Sequence, residues 1–162
     1  PEALVYYAEL PVRTTGIEHM MVYGVTRDQG MMSKTKRAIQ WAFWAKSYKI
    51  PYAGKYRWLY AGEAAWAFIT SVSNDIVGSN VFNLNGSCET IENGLKLIKE
   101  LKPNSSVTCE GQPLPFPPDL DDLPLRKYVG DYTSVSVQKG IEHTLRAFET
   151  LKSEGKCPDV PI

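Results

Sequence analysis

The side chains best suited to hold a ligand gather in the segment after VYG. Arg27, Gln29, Lys34 and Lys36 lie close together, and two of the cations stand at the start of a helical stretch. A cationic cluster beside the free N–H groups of a helix N-terminus suits a phosphate or a carboxylate. The same residues equally describe a solvated basic face. A second group is Arg57, Tyr60 and Glu63, just before and inside the next apolar helix. Arg57 has the reach for a ligand phosphate or for an ion pair with Glu63. Glu63 in a first helical turn is explained by capping, which is worth about 0.3–1 kcal/mol through the helix dipole alone.

Other chemistries have little to stand on. The two histidines, His19 and His143, are far apart, and neither sits in a HExxH pattern. Neither a GxSxG elbow nor a glycine-lysine phosphate loop is present. The three cysteines, Cys88, Cys109 and Cys157, are widely spaced and odd in number, which argues against a disulfide framework or a CxxC metal site. Reduced thiols fit a cytoplasmic setting. Asp119, Asp121 and Asp122 lack an EF-hand spacing and read as the cap of a short helix. No nucleophile–base pair or metal set is visible, so an independent enzyme with chemistry of its own has little support.

The elements that must position these residues follow from periodicity. The stretch PEALVYYAEL reads as helix, ended by Pro11 and Gly16. Ile17 to Tyr23 reads as one buried strand closed by Gly24, and a helix follows from about Ser33, its plausible N-cap. KIPYAGKYRWLY is a short extended segment, a turn at Ala53–Gly54 and another strand. Glu63 to Val72 is apolar nearly all round, which predicts a helix covered on several sides. VFNL (81–84) is a strand stopped by Asn85–Gly86.

The clearest amphipathic helix carries Ile91, Leu95, Ile98 and Leu101 on one stripe, with Ser87 as expected cap and Pro103 past its end. SSVTCE (105–110) alternates like a strand. The proline-rich QPLPFPPDLDDLPL is expected to wrap the surface in extended form. The last helix, about Val137 to Lys152, places Val137, Ile141, Leu145, Phe148 and Leu151 on one face with Ser136 as cap and His143 toward solvent. Helical spacing makes packing the better explanation for most of Trp41, Trp44, Trp58 and Trp66. Alternating helices and short strands, with several connections too long for hairpins, argue an α/β fold with parallel pairing. Residues 1–152 form the folded unit and 153–162 a polar tail.

Composition sets outer bounds. The chain has 162 residues, 43% hydrophobic and 22% charged, with 18 basic residues against 18 acidic. That is one ordinary domain, not a disordered chain. A net charge of zero supplies no reason to propose nucleic acid or an anionic membrane as partner. The sequence has no apolar run of about 18 residues, so no membrane-spanning helix is expected, and no secretory signal pattern. Position 1 is Pro, which suggests a chain trimmed or taken from something longer. No GxGxxG or GxxGxxG is present, so the usual pyrophosphate cradle is missing.

Several blocks resemble, in order, the carboxyl-terminal half of an extended short-chain dehydrogenase/reductase of the NAD-dependent sugar epimerase/dehydratase family. GIEHMMVYGVTRDQG resembles the strand and loop after that family's catalytic helix. KIPYAGKYRWLYAGEAAWAF resembles its strand, turn and acid-opened helix, and VFNLNG the strand before the next helix. LDDLPLRKYVGDYTSVSVQKGIEHTLRAF resembles its closing segment. Together the blocks cover about residues 1 to 150.

The resemblance implies a partial Rossmann-type sheet joined to a small substrate-binding α/β portion. It implies that Tyr23 and Gly24 edge the nicotinamide and substrate site. Gln29, with Arg27, Lys36, Arg57 and Tyr60, then becomes the substrate clamp. The small-molecule substrate implied is a nucleotide-sugar, and the cofactor of the intact family is NAD or NADP. The family's YxxxK pair and glycine-rich NAD site would precede Pro1. The tandem Tyr6–Tyr7 cannot replace that pair, because Leu10 and Pro11 stand where the lysine is needed. Tyr56 stands where the family often has an arginine, with Arg57 one place later, so the typical pocket is altered. The chain alone is then expected to be inactive and without bound cofactor, and to associate through exposed faces. The rival reading is a non-catalytic truncated relative that binds a small ligand or a protein.

Overall fold

The computed structural model describes residues 12–75, 77–117, 120–130 and 135–158. The helix expected over 1–10, with Tyr6 and Tyr7, and Asp119 lie outside them. In chain order the elements are β1 (Thr14–His19), β2 (Met21–Tyr23), a 3-10 turn (Met31–Ser33), α1 (Lys34–Phe43), β3 (Ser47–Ile50), β4 (Lys55–Tyr60) and α2 (Ala61–Ser73). Then follow β5 (Ser79–Leu84), β6 (Ser87–Thr90), α3 (Ile91–Leu101), β7 (Ser106–Cys109), α4 (Leu123–Val129) and α5 (Val137–Ser153). The fold is α/β with parallel pairing, as the alternation of elements predicted.

The strands form three small sheets: β1 with β5, β2–β4–β6, and β3 with β7. Only the β4–β6 pairing is antiparallel. The segment 17–23, expected as one strand, is therefore two. It breaks at Met20, because β1 follows β5 while β2 moves across to β4. The two strands reach two apolar cores, Val22 of β2 sharing the smaller one with Ile17. Ile17 packs with Leu59, Ala64, Phe82, Leu84 and Leu125, whereas Met21 and Tyr23 enter a larger core with Trp58, Ile98, Ile141 and Phe148.

Two further expectations are corrected. The cap of α3 is Thr90, whose hydroxyl accepts the Asn93 N–H at 3.1 Å. Ser87 instead pairs within β6 opposite Trp58 and donates its hydroxyl to the Val135 carbonyl, because the ladder with β4 runs through Thr90. Helix α2 is not covered on several sides. It buries a narrow face of Glu63, Ala64, Ala67 and Ser71 and leaves Trp66, Phe68, Ile69 and Val72 exposed. Small residues let its axis approach the sheet on one side only.

At the other helices, local signals match local structure. Ser136 caps α5, accepting the Lys139 N–H at 3.3 Å, and the stripe from Val137 to Phe148 is buried. Ser33 stands at the N-cap of α1, but its hydroxyl donates to the Gly30 carbonyl and not to the helix. The described part of the proline-rich stretch holds neither helix nor strand before α4 begins. No described helix is long and apolar enough to cross a membrane.

Candidate functional site

Strand β2 delivers Tyr23 inward, and there it stays. Its ring is fully buried, edge-on to Trp58 at 5.5 Å and tilted to Tyr60 at 6.0 Å. Its hydroxyl donates to the Val137 carbonyl at 3.5 Å. Burial, then the nearby Glu63 and Tyr60, push the phenol far above its ordinary pKa. A small ligand cannot touch this residue, so the expected nicotinamide and substrate edge at Tyr23 is not exposed in this fold. Gly24 is buried too, with φ of +145°, and a Cβ there would lie 2.7 Å from that of Ala61. It turns the chain against α2.

The arrangement at Tyr23 is testable. Gly140 of α5 faces the Tyr23 hydroxyl, and any Cβ at 140 would overlap it. Gly140→Ala is expected to cost about 2 kcal/mol by overpacking. Tyr23→Phe alone should cost about 1 kcal/mol for the hydrogen bond. The double variant is expected to cost less than the sum, read by urea denaturation of all three proteins.

The loop clamp does not assemble. Lys36 is fully buried, ion-paired with Asp28, donating to Gln40 Oε1 at 2.8 Å and lying over the Phe148 ring at 5.5 Å. Gln40 in turn donates to the Pro158 carbonyl at 3.0 Å, and Arg37 to that of Asp28 at 2.9 Å. Lys36 thus ties the loop, α1 and the chain beyond α5 together. This corrects its expected role, since a fully buried ammonium already bonded to Asp28 and Gln40 is not offered to a ligand. Gln29 is exposed, while Arg27 and Lys34 are half-buried.

The second group divides by strand alternation. Tyr56, Trp58 and Tyr60 share one face of β4, and Tyr56 and Trp58 vanish into the larger core. Half-buried Tyr60 sets its ring 5.5 Å from that of exposed His143. Arg57 points the other way. It lines a cleft of about 430 Å³ with Asn85, Gly86, Asp121, Asp122 and Arg126. That volume lies in the range of small-molecule sites. Arg57 and Tyr60 therefore do not act on one ligand.

The cleft is held by a polar frame. Asn85 Nδ2 donates to the Leu120 carbonyl, Arg126 donates to Asp122 Oδ2 at 3.0 Å, and Asp121 Oδ1 accepts the Leu123 N–H at 3.0 Å. Asp121 and Asp122 thus do open a short helix, as their spacing suggested. Asn85 sits just past β5, at the carboxyl edge where open α/β sheets commonly bind ligands. Two guanidinium groups offer grip on anionic oxygens, and the carboxylates on hydroxyls. Sequence reasoning missed Asn85, Arg126 and the acids as cleft residues. A polar residue just past a strand's carboxyl end was the one available signal.

Glu63 is the most constrained acid. It is buried, accepts the Tyr60 N–H at 3.0 Å and the Val135 N–H at 2.7 Å, and so fastens α2 to the chain entering α5. Its capping role is as expected. Burial raises its pKa, against the opposing pull of the two N–H bonds. A raised folded-state pKa means that the native chain binds the proton more readily than the unfolded chain does. Stability from this group is therefore full below the ordinary carboxyl pKa and falls as pH rises through the folded value. Relative to Glu63→Gln, the unaltered chain should gain stability as pH drops from 7 toward 4, measured by urea midpoints across that range. The opposite trend would show that the hydrogen bonds outweigh burial.

Nothing else in the described residues offers redox or metal chemistry. No three His, Cys, Asp or Glu side chains among them could hold a metal ion. The three cysteines are half-buried and in no disulfide among the described residues, and burial together with the Glu92 carboxylate raises the Cys109 thiol. A raised thiol is a poor nucleophile at neutral pH.

No protein-family model and no curated protein sequence matches the chain. Its fold matches solved structures over about half their length. UDP-N-acetylglucosamine 4-epimerase from Bacillus cereus superposes with a TM-score of 0.72 at 17% identity, over 97% of this chain and 51% of that one. UDP-glucose 4-epimerase from Thermotoga maritima, with UDP-glucose, gives 0.71 at 18% identity, over 91% and 50%. UDP-glucuronic acid 4-epimerase from Bacillus cereus, in complex with NAD, gives 0.68 at 15% identity, over 91% and 48%. The chain thus shares its fold with part of each of these structures and spans about half their length.

Proposed function

We propose that this chain is the substrate-gripping, carboxyl-terminal portion of an NAD(P)-dependent sugar epimerase/dehydratase-like oxidoreductase, acting on a nucleotide-sugar in a reducing, cytoplasmic setting. The observation that carries the reading is the superposition of nearly the whole chain on half of several UDP-sugar epimerases. The ordered sequence blocks support it independently. Arg57 in the polar cleft is the residue assigned to hold the ligand's phosphates, with Asn85 and Arg126 beside it. Of the loop, Arg27 and Gln29 stay accessible for a distal polar group.

Two of the strand–helix junctions do not fit a dinucleotide. At β4–α2 the helix N-terminus is filled by the Glu63 carboxylate, and a Cβ at Gly62 would meet the Tyr60 ring. At β6–α3, Thr90 takes the Asn93 N–H and Glu92 follows in the first turn. Acids and caps at both junctions repel a pyrophosphate where a glycine-rich turn would cradle it. Hydride transfer is accordingly assigned to polypeptide outside these residues.

Isothermal titration of the chain with UDP-glucose and with NAD tests this. Weak UDP-glucose binding, reduced about tenfold or more in Arg57→Ala, is expected. Micromolar NAD binding, or UDP-glucose binding indifferent to Arg57, would overturn the assignment. The second reading, a non-catalytic module, is favoured by the exposed apolar face of α2, which offers a surface for a protein partner. Gel filtration separates the two. A compact monomer supports the module, and obligate association supports a portion of a larger catalyst.

A further inference from the structure

Among the described residues Lys36 is the only lysine or arginine that is fully buried. Its ammonium has three donors, and the surroundings match them. Asp28 Oδ1 accepts one, Gln40 Oε1 accepts another at 2.8 Å, and the Phe148 ring lies 5.5 Å away. Gln40 is held in the orientation this needs, because its Nε2 donates to the Pro158 carbonyl at 3.0 Å. The chain reaches that point by turning back at Gly155, φ +67°, where the Lys156 N–H donates to the Leu151 carbonyl at 2.8 Å. An ammonium pocket is built here from the loop, α1, α5 and the chain beyond it.

The carboxylate that Lys36 holds belongs to a strained loop. Between β2 and the 3-10 turn, Gly24, Thr26 and Gly30 have φ of +145°, +71° and +85°. Glycine takes such angles freely. A β-branched threonine does not, so its surroundings must impose the shape at Thr26. Val25 packs against the larger core, and beyond Thr26 the hold is at Asp28. Its side chain meets Lys36, and its carbonyl accepts from Arg37 Nη2 at 2.9 Å. Gly30 is fixed separately, its carbonyl accepting the Ser33 hydroxyl at 2.7 Å. Arg27 and Gln29 flank Asp28 directly, and Arg27 Nε is buried with no hydrogen-bond partner among the described residues.

We propose that Lys36 is a positioning residue of the substrate site: it touches no ligand, and by gripping Asp28 it fixes the strained loop so that Arg27 and Gln29 are presented to the sugar end of a nucleotide-sugar. The inference rests on the reading of this chain as the substrate-gripping portion of a larger catalyst. Packing alone does not call for a cation at this place. An apolar side chain of similar length would fill the space between α1 and Phe148 without desolvating an ammonium. What it could not do is hold the Asp28 carboxylate, which is 57% exposed, and with it the two side chains on either side. A loop ordered before the ligand arrives spares the complex the entropy of ordering it.

Backbone order parameters of Val25–Gln29, with titrations of UDP-glucose and of UDP, compare the full chain with Lys36→Met, which keeps the side chain's length and gives up its charge. The loop values are expected at about 0.85 in the unaltered chain and below about 0.6 in the variant, with α3 the same in both. UDP-glucose should bind Lys36→Met about tenfold more weakly. UDP, which lacks the sugar, should bind both proteins alike, whereas a general structural loss would weaken both ligands together. If the single variant does not fold, because Gln40 is left buried without its donor, Lys36→Met/Gln40→Leu removes both polar groups and should give the same pattern. Equal loop order in the two proteins, or equal weakening of UDP and UDP-glucose, overturns the proposal and leaves the Arg57 assignment standing. A loosened loop in a protein whose unaltered form binds neither ligand overturns the substrate reading, and the role of Lys36 in it, and leaves only the tether. UDP-glucose binding that falls with Lys36→Met but is indifferent to Arg57→Ala supports the proposal and removes the Arg57 assignment.

Discussion

Trp58→Ala is expected to lower the unfolding free energy by about 4 kcal/mol, as for other large aromatics removed from closed cores. Trp58 is fully buried, among the largest side chains of the major core, edge-on to Tyr23 at 5.5 Å. Its Nε1 has no hydrogen-bond partner, so truncation loses packing and not polar pairing. The neighbouring strand β2 and helix α3 are held by their own ladders and caps, which limits collapse into the space. The cause is separable by a second substitution. A Cβ on Gly94 of α3 would overlap the Trp58 ring, so Gly94→Ala alone should cost about 2 kcal/mol. In the Trp58→Ala background that methyl enters the vacated space, and the two costs should fall short of their sum by at least about 1 kcal/mol. Urea unfolding of the four proteins in the cycle measures this, and simple additivity would refute the packing account.

Gly86→Ala is expected to be as severe, about 3 kcal/mol or more, for a different reason. A Cβ at 86 would overlap the Trp58 carbonyl and press on the Leu59 backbone. A side chain can rotate away from such an overlap, but β4 cannot, because Leu59 pairs with Val22 on one side and Trp58 with Ser87 on the other. Gly86 also lines the Arg57 cleft, so the substitution should weaken UDP-glucose binding along with stability. Gly130→Ala is the control. Among the described residues nothing lies within 4 Å of a Cβ there, and its φ of +81° is strained, for about 1 kcal/mol. Comparable losses at 86 and 130, by urea midpoint, would show that steric approach to β4 is not the constraint.

Function was less legible in the sequence than fold. The cationic residues of the loop are near one another along the chain, yet Lys36 is drawn inward to Asp28 and Gln40 while Gln29 remains outside. Arg57 was recognised, but its neighbours were not, because the cleft gathers side chains from β4, the end of β5 and the start of α4. Residues so far apart in sequence carry no shared local pattern. The resemblance placed Tyr23 at the site's edge, and packing against Trp58, Val137 and Gly140 closes that position.

What the amino-acid order determined by itself was local: the apolar stripes of α3 and α5, the Ser136 cap, the Glu63 first-turn acid, the VFNL strand and the alternation that makes the fold α/β. These depend on neighbours three or four residues away, or on a period of two, and need no knowledge of the remainder. Only the tertiary structure decided the break at Met20, the Thr90 cap in place of Ser87, the burial of Lys36 and the exposed aliphatic face of α2. Each of those depends on which strand or helix arrives from elsewhere in the chain, and a hydrogen-bond ladder or a filled core outbids the local preference it meets.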